Sequence, residues 1–97
     1  MTVDYARRAV ADLIDITAYY EGLGAAGIGG SIAARIDEVI ARIEVWPESG
    51  KRVAQDHGLR VVPLIRFPYL IFYEVAGAGT IRILHIRHAS RRPWTGG

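Results

Sequence analysis

Cationic and protonatable side chains are concentrated at the C-terminal end of the chain. From residue 82 onward they are Arg82, His85, Arg87, His88, Arg91 and Arg92. Metal-free cleavage of RNA needs a base for the 2′-hydroxyl, an acid for the leaving oxygen and cations around the charged transition state. An imidazole beside several guanidinium groups supplies these residue types. A second interpretation is that these residues form a polar rim with no catalytic role. The residue types alone favour this second interpretation.

The histidines do not predict a metal site. His57, His85 and His88 are the only strong nitrogen ligands in a chain that has no cysteine. His85 and His88 are three residues apart, and this spacing on a β-strand places two side chains on opposite faces. We therefore expect no metal and no other cofactor.

Charge is distributed unevenly along the chain. Residues 1–50 hold four basic and eight acidic residues, whereas residues 51–97 hold eight basic and two acidic residues. The second half can therefore attract an anionic partner over a long range, although arginines on strands are also ordinary solvated residues.

A β-hairpin must position the basic residues. Residues 69–75 are aromatic or β-branched almost throughout, Gly77 and Gly79 supply a turn, and residues 81–86 resume the strand pattern. Three further strands are predicted at residues 2–5, 52–54 and 59–67. Pro63 lies within the last of these and cannot donate to a ladder, so it is expected at an edge or a bulge.

Two amphipathic helices are predicted in the first half of the chain. Apolar residues recur at three- and four-residue steps over about residues 7–23 and again over residues 31–45, where Ser31 is a candidate N-cap. The intervening segment has five glycines in nine residues, which predicts a loose connection because glycine is unfavourable inside a helix. Its G-x-G-x-x-G spacing follows a helix rather than a strand, so it does not predict a phosphate-binding loop.

The order of elements predicts an α+β fold. A short N-terminal strand and an antiparallel helical hairpin are expected to pack on a mostly antiparallel, C-terminal three-stranded sheet, with residues 1–97 forming a single domain. The N-terminal residues carry charges where a signal peptide would be apolar, and no apolar run has membrane-spanning length. A cytoplasmic protein without a membrane partner is expected.

Two segments carry a resemblance to a known family. RFPYLIFYEV at residues 66–75 and ILHIRHASRR at residues 83–92, together with the order of elements, resemble the RelE/ParE superfamily of toxins from bacterial type II toxin–antitoxin operons. The resemblance covers essentially the whole chain. It implies the RelE/ParE-like fold and a hetero-oligomeric complex with a cognate antitoxin.

The resemblance also separates two functions. RelE-like members cleave ribosome-bound mRNA, and they generally place an arginine directly after the tyrosine that opens the penultimate strand. Here Leu70 follows Tyr69, so the expected phosphate-binding cation is missing. The chain therefore resembles the ParE branch, whose members poison DNA gyrase by binding, and no catalytic residue is assigned. The resemblance implies a toxic surface at Arg87, His88, Arg91, Arg92 and Trp94.

The cognate partner is expected to be a ParD-like antitoxin that lays a helix or an extended tail into the groove between the helical hairpin and the sheet. Apolar helix residues are the candidates for this contact, namely Leu13, Tyr20, Ile36 and Ile40. Two alternatives remain open. One is a ribosome-dependent mRNA endonuclease with His88 as acid or base, and the other is a degenerate member that only binds its antitoxin.

Overall fold

The computed structural model describes residues 2–53, 56–77 and 79–90, excluding the side chains of Asp56 and His57. The described part contains two helices and five strands. In chain order they are β1 (Thr2–Tyr5), α1 (Arg7–Gly22), α2 (Ala26–Val45), β2 (Lys51–Val53), β3 (Asp56–Pro63), β4 (Tyr69–Ala76) and β5 (Thr80–His88).

The strands form one mixed sheet in the order β1-β5-β4-β3-β2. The predicted α+β class is confirmed, with the two helices packed on the sheet. The sheet has five described strands rather than three, because β1 joins it in parallel beside β5 and the short β2 pairs antiparallel with β3. Sequence periodicity does not reveal the pairing of β1 with β5, since these two strands are far apart along the chain.

The connection between the helices is shorter than its glycine content predicts. Residues 23–25 form the loop, and α2 already begins at Ala26, so the glycine-rich segment is largely helical. Gly29 lies where the two helices approach each other closely, since a Cβ placed there would lie 3.3 Å from the Cβ of Tyr20. Ser31 is therefore not an N-cap, and its hydroxyl donates to the Gly27 carbonyl inside the helix at 3.1 Å.

Each sheet face is defined by the strand register. We call the face covered by the helices the inner face. On β4 the inner residues are Tyr69, Ile71 and Tyr73, which belong to the hydrophobic core. On β5 the register shifts opposite Phe72 and Tyr73, so that Leu84 is an extra residue and the inner positions become Ile81, Ile83 and Ile86.

The third predicted strand ends earlier than expected. β3 stops at Pro63, and residues 64–68 form a turn that leads into β4. Pro63, which cannot donate a ladder hydrogen bond, is the last residue of β3 and lies beyond Val61, where the pairing with β2 ends, rather than on an edge strand or at a bulge. In the described part of the chain, neither helix has the length and apolar character needed to cross a membrane.

Candidate functional site

The predicted basic surface lies where β5 ends beside the start of β4. In the ladder, Tyr69 pairs with His88 and Leu70 pairs with Arg87. Directly paired residues of antiparallel strands share a face, and consecutive residues point to opposite faces. His88 therefore lies on the inner face with Tyr69, and Arg87 lies on the opposite, outer face with Leu70.

His88 is held by the residues that follow it. Its ring meets the Tyr69 ring edge to face with centroids 5.3 Å apart. The Ser90 backbone N–H donates to His88 Nδ1 at 3.2 Å, and the Ser90 hydroxyl lies 2.7 Å from the same nitrogen. An N–H group can only donate, so Nδ1 is the acceptor and the ring proton resides on Nε2. Nε2 is thus the nitrogen left for an external contact.

Arg87 differs from the other arginine of β5 in its surroundings. Arg82 also lies on the outer face, and its Nη1 is 3.9 Å from Glu74 Oε1. Arg87 is half-buried, and among the described residues it has no ion-pair partner. Its cross-strand neighbour is the apolar Leu70, so the guanidinium remains available to a carboxylate or phosphate from outside the chain.

His85 has a structural role that the sequence did not reveal. It stacks on Phe72 with ring centroids 6.1 Å apart, which places it on the outer face and confirms the prediction that His85 and His88 lie on opposite faces. Its side chain is nevertheless only 5% exposed. His85 Nδ1 lies 2.5 Å from Asp12 Oδ2 of α1, and the same oxygen accepts the Ile86 N–H at 2.9 Å.

Asp12 thereby completes the edge of β5. β1 ends at Tyr5, where the following Ala6 N–H still donates to the Ile83 carbonyl at 2.9 Å. Beyond that point no strand pairs with this edge of β5 in the described part of the chain. The Asp12 carboxylate takes the place of a strand at Ile86, which ties α1 to β5.

The predicted antitoxin contacts have different exposures. Leu13 and Tyr20 are half-buried and pack against the core from one side. Ile36 and Ile40 are only 1% and 4% exposed, because they form part of the core between α2 and the sheet. In this structure a partner cannot reach either isoleucine without displacing α2. Arg91, Arg92 and Trp94 lie outside the described residues.

An open cavity of about 780 Å³ lies beyond the end of α2. Its lining residues are Val45, Trp46, Pro47, Glu48, Ser49, Arg52, Gly58, Arg60 and Val75. The turn after α2 is fixed from below by the buried Tyr73, whose hydroxyl donates to the Pro47 carbonyl at 2.7 Å and accepts the Gly50 N–H at 2.9 Å. This turn leaves Trp46 65% exposed at the cavity wall.

Solved structures of other proteins share this fold. The structure matches the chromosomal ParDE TA system from P. aeruginosa with a TM-score of 0.78 and 26% sequence identity, covering 93% of this chain and 97% of that chain. It also matches the isolated E. coli RelE toxin with a TM-score of 0.70, at 13% identity over 94% of this chain and 86% of that chain. No curated protein sequence matches the chain significantly. The class of protein that these matches define is thus one with the ParE/RelE fold.

The particular family follows from the sequence match. Residues 3–93 match the family described as the ParE toxin of type II toxin-antitoxin system, parDE. Since this match spans nearly the whole chain, the protein belongs to that family, as the resemblance predicted.

Proposed function

We propose that this ParE toxin inhibits DNA gyrase by binding to it, without cleaving a substrate, and that a ParD-like antitoxin neutralises it in a hetero-oligomeric complex. The membership in the ParE toxin family supports the toxin role and the existence of an antitoxin partner. The mode of action is argued from the end of β5.

The observation that carries the proposal is the pairing of Leu70 with Arg87 and of Tyr69 with His88. A metal-free nuclease needs its imidazole and its phosphate-binding cation around one phosphate. Here the Arg87 guanidinium and the His88 imidazole leave β5 on opposite faces, and the other described imidazole, that of His85, is buried against Asp12. The described residues therefore supply separate contacts rather than one catalytic cluster, and this supports a binding function.

Arg87 is the described side chain best suited to contact the target. It is accessible, it has no ion-pair partner among the described residues, and it stands beside an apolar neighbour on a rigid strand. A partner carboxylate can approach it without displacing an existing ion pair. The predicted surface residues Arg91, Arg92 and Trp94 lie outside the described residues, and their part in this surface stays a prediction.

A supercoiling assay with purified gyrase tests this proposal. We expect the wild-type toxin to inhibit supercoiling, and we expect Arg87→Ala to lower its potency by about tenfold, the size of effect seen at central contact residues. Arg82→Ala is the matched control, because Arg82 lies on the same strand and face and already pairs with Glu74. Its potency should change by less than about twofold. Undisturbed gyrase at micromolar wild-type toxin refutes the proposal.

One observation favours the alternative, a ribosome-dependent mRNA endonuclease. Ser90 holds His88 Nδ1 as an acceptor, and this leaves Nε2 positioned to exchange a proton with a substrate. Primer extension on translated mRNA separates the two functions. Cuts at fixed codon positions that disappear in His88→Ala establish the endonuclease, whereas uncut mRNA together with inhibited gyrase supports the binding function.

For the antitoxin, the open cavity beyond α2 is our candidate for part of the predicted groove. The helices cover the inner face up to Val45, where α2 ends, and leave an apolar wall with Trp46 and Val75 beside Arg52 and Arg60. An apolar side chain flanked by acidic residues would match both the wall and the two arginines. Co-expression with the product of the adjacent reading frame and co-purification of the complex tests the partnership directly.

A further inference from the structure

The turn between β3 and β4 displays an isoleucine in a backbone conformation that isoleucine disfavours. Ile65 has a φ of 67°, in the left-handed region where a β-branched side chain is a genuine outlier. It is the central residue of a three-residue turn, since the Arg66 N–H donates to the Leu64 carbonyl at 2.7 Å. A turn of this type with positive φ is rare and strained.

The surrounding hydrogen bonds hold this turn in place. The fully buried Leu64 donates its N–H to the Tyr69 carbonyl at 3.0 Å, and its own carbonyl accepts Arg35 Nε at 3.2 Å. On the other side, the Ala89 N–H donates to the Pro68 carbonyl at 2.7 Å. The turn is therefore fixed to α2, to β4 and to the residues that follow β5.

The side chain of Ile65 does not serve the fold. It is 77% exposed, the highest exposure among the large apolar residues described. Glycine or asparagine would adopt the same backbone conformation more easily, and neither would remove a core contact. Strain that the fold does not need is concentrated at functional sites in proteins, where it presents a group for recognition.

The charges beside Ile65 indicate the kind of partner. Residues 64–68 contain Arg66, and residues 87–90 contain Arg87 and His88, with no acidic residue in either segment. Arg35, which donates to the Leu64 carbonyl of this turn, also pairs through its Nη1 with Glu38 at 3.1 Å. A branched aliphatic side chain gains nothing from a phosphate backbone, so this combination fits a protein surface rather than a nucleic acid.

We propose that Ile65 is an apolar anchor that inserts into a pocket rimmed by acidic side chains on the protein target of the toxin. This inference rests on the proposed function, in which that target is gyrase. Arg66 and Arg87 supply the surrounding charge contacts, and Ile65 supplies the desolvated centre of the interface.

Binding of the full-length toxin to purified gyrase tests the inference, with Ile65→Gly and Ile65→Asn as variants. Both should weaken the affinity by about tenfold or more, because each removes the apolar side chain. Both should also unfold at the wild-type temperature or above it, because each accepts a positive φ. Leu23→Asn is the matched control, since Leu23 is a loop residue with 62% exposure far along the chain from β5. Its affinity should stay within about twofold of the wild type.

The outcomes separate the two proposals. If the wild type binds gyrase and both Ile65 variants bind equally well, the inference is overturned and the proposed function stands. If the variants unfold at a clearly lower temperature, Ile65 has a structural role and the inference is also overturned. If the wild type does not bind gyrase, the proposed function fails and the inference fails with it. Binding to duplex DNA alone that depends on Ile65 would reject a protein pocket as the partner.

Discussion

Replacing Asp12 tests how α1 is attached to the sheet. The Asp12 carboxylate accepts the Ile86 N–H at 2.9 Å and lies 2.5 Å from His85 Nδ1, and its other oxygen accepts Arg8 Nε at 3.3 Å. Asp12→Ala removes all three contacts. The Arg8 contact is exposed and contributes little, so the effect comes from the two groups on β5.

The magnitude follows from the burial of those groups. His85 is 5% exposed and Ile86 is 2% exposed, so neither freed donor can be solvated easily. Leaving a buried donor unpaired costs about 1–3 kcal/mol. Two such donors predict a loss of about 3 kcal/mol in the free energy of unfolding for Asp12→Ala, after some relaxation. Asp12→Asn keeps one acceptor oxygen, so its loss should be smaller, at about 1 kcal/mol.

Urea denaturation followed by circular dichroism measures this loss, and thermal unfolding provides a second measurement. In a domain of this size about 1 kcal/mol shifts the unfolding midpoint by roughly 4–8 °C, so Asp12→Ala should unfold more than about 10 °C below the wild type. Asp15→Ala is the matched control, because Asp15 lies on the same helix, is exposed and has no described partner. If Asp12→Ala and Asp15→Ala lose equal stability, the Asp12 carboxylate does not hold α1 to β5.

Two further predictions concern tyrosine hydroxyls. Tyr73→Phe removes the donor to Pro47 and leaves the buried Gly50 N–H without its acceptor, so urea denaturation should show a loss of about 1–3 kcal/mol with the core otherwise intact. Burial, followed by the carboxylates of α2, raises the pKa of Tyr5 above its ordinary value. The folded state thus retains this proton longer than the unfolded state, and stability should fall as the pH rises from about 10 through the pKa of folded Tyr5. Tyr5→Phe should reduce the loss of stability at alkaline pH. A phenolate absorbance titration in which no tyrosine has a raised pKa would contradict the raised pKa of Tyr5.

Local patterns predicted the elements, whereas contacts between distant residues decided how they pair. The aromatic and β-branched run at residues 69–75 and the two turn glycines identified the hairpin, and three- and four-residue spacing identified α1. The bulge at Leu84 could not be read from the sequence in the same way, because apolar residues on both sides of it satisfy more than one alternation. The prediction of a loose connection in the glycine-rich segment was wrong because it used helix propensity alone. Helix propensity disfavours Gly29, but the close packing of this position against Tyr20 favours glycine.

The candidate site was predictable in composition but not in arrangement. The basic residues were evident from the sequence, and the missing cation at Leu70 was evident from the resemblance. Only the register showed that Arg87 stands directly across from Leu70 and on the opposite face from His88. Asp12 and His85 were not assigned a role, because they are 73 residues apart and nothing local connects them. The positive φ of Ile65 could not be predicted from the sequence either, because isoleucine rarely adopts the left-handed backbone conformation.

The parallel pairing of β1 with β5 also constrains when the toxin can become complete during synthesis. Thr2 pairs with Thr80 and Tyr5 with Ile83, so β1 has no strand partner until β5 has been synthesised. The helices rely on local contacts and can form early, but the sheet cannot close until β5 has emerged. β5 also carries Arg87 and His88, so the nascent chain lacks both the complete described sheet and these proposed contact residues until β5 has emerged.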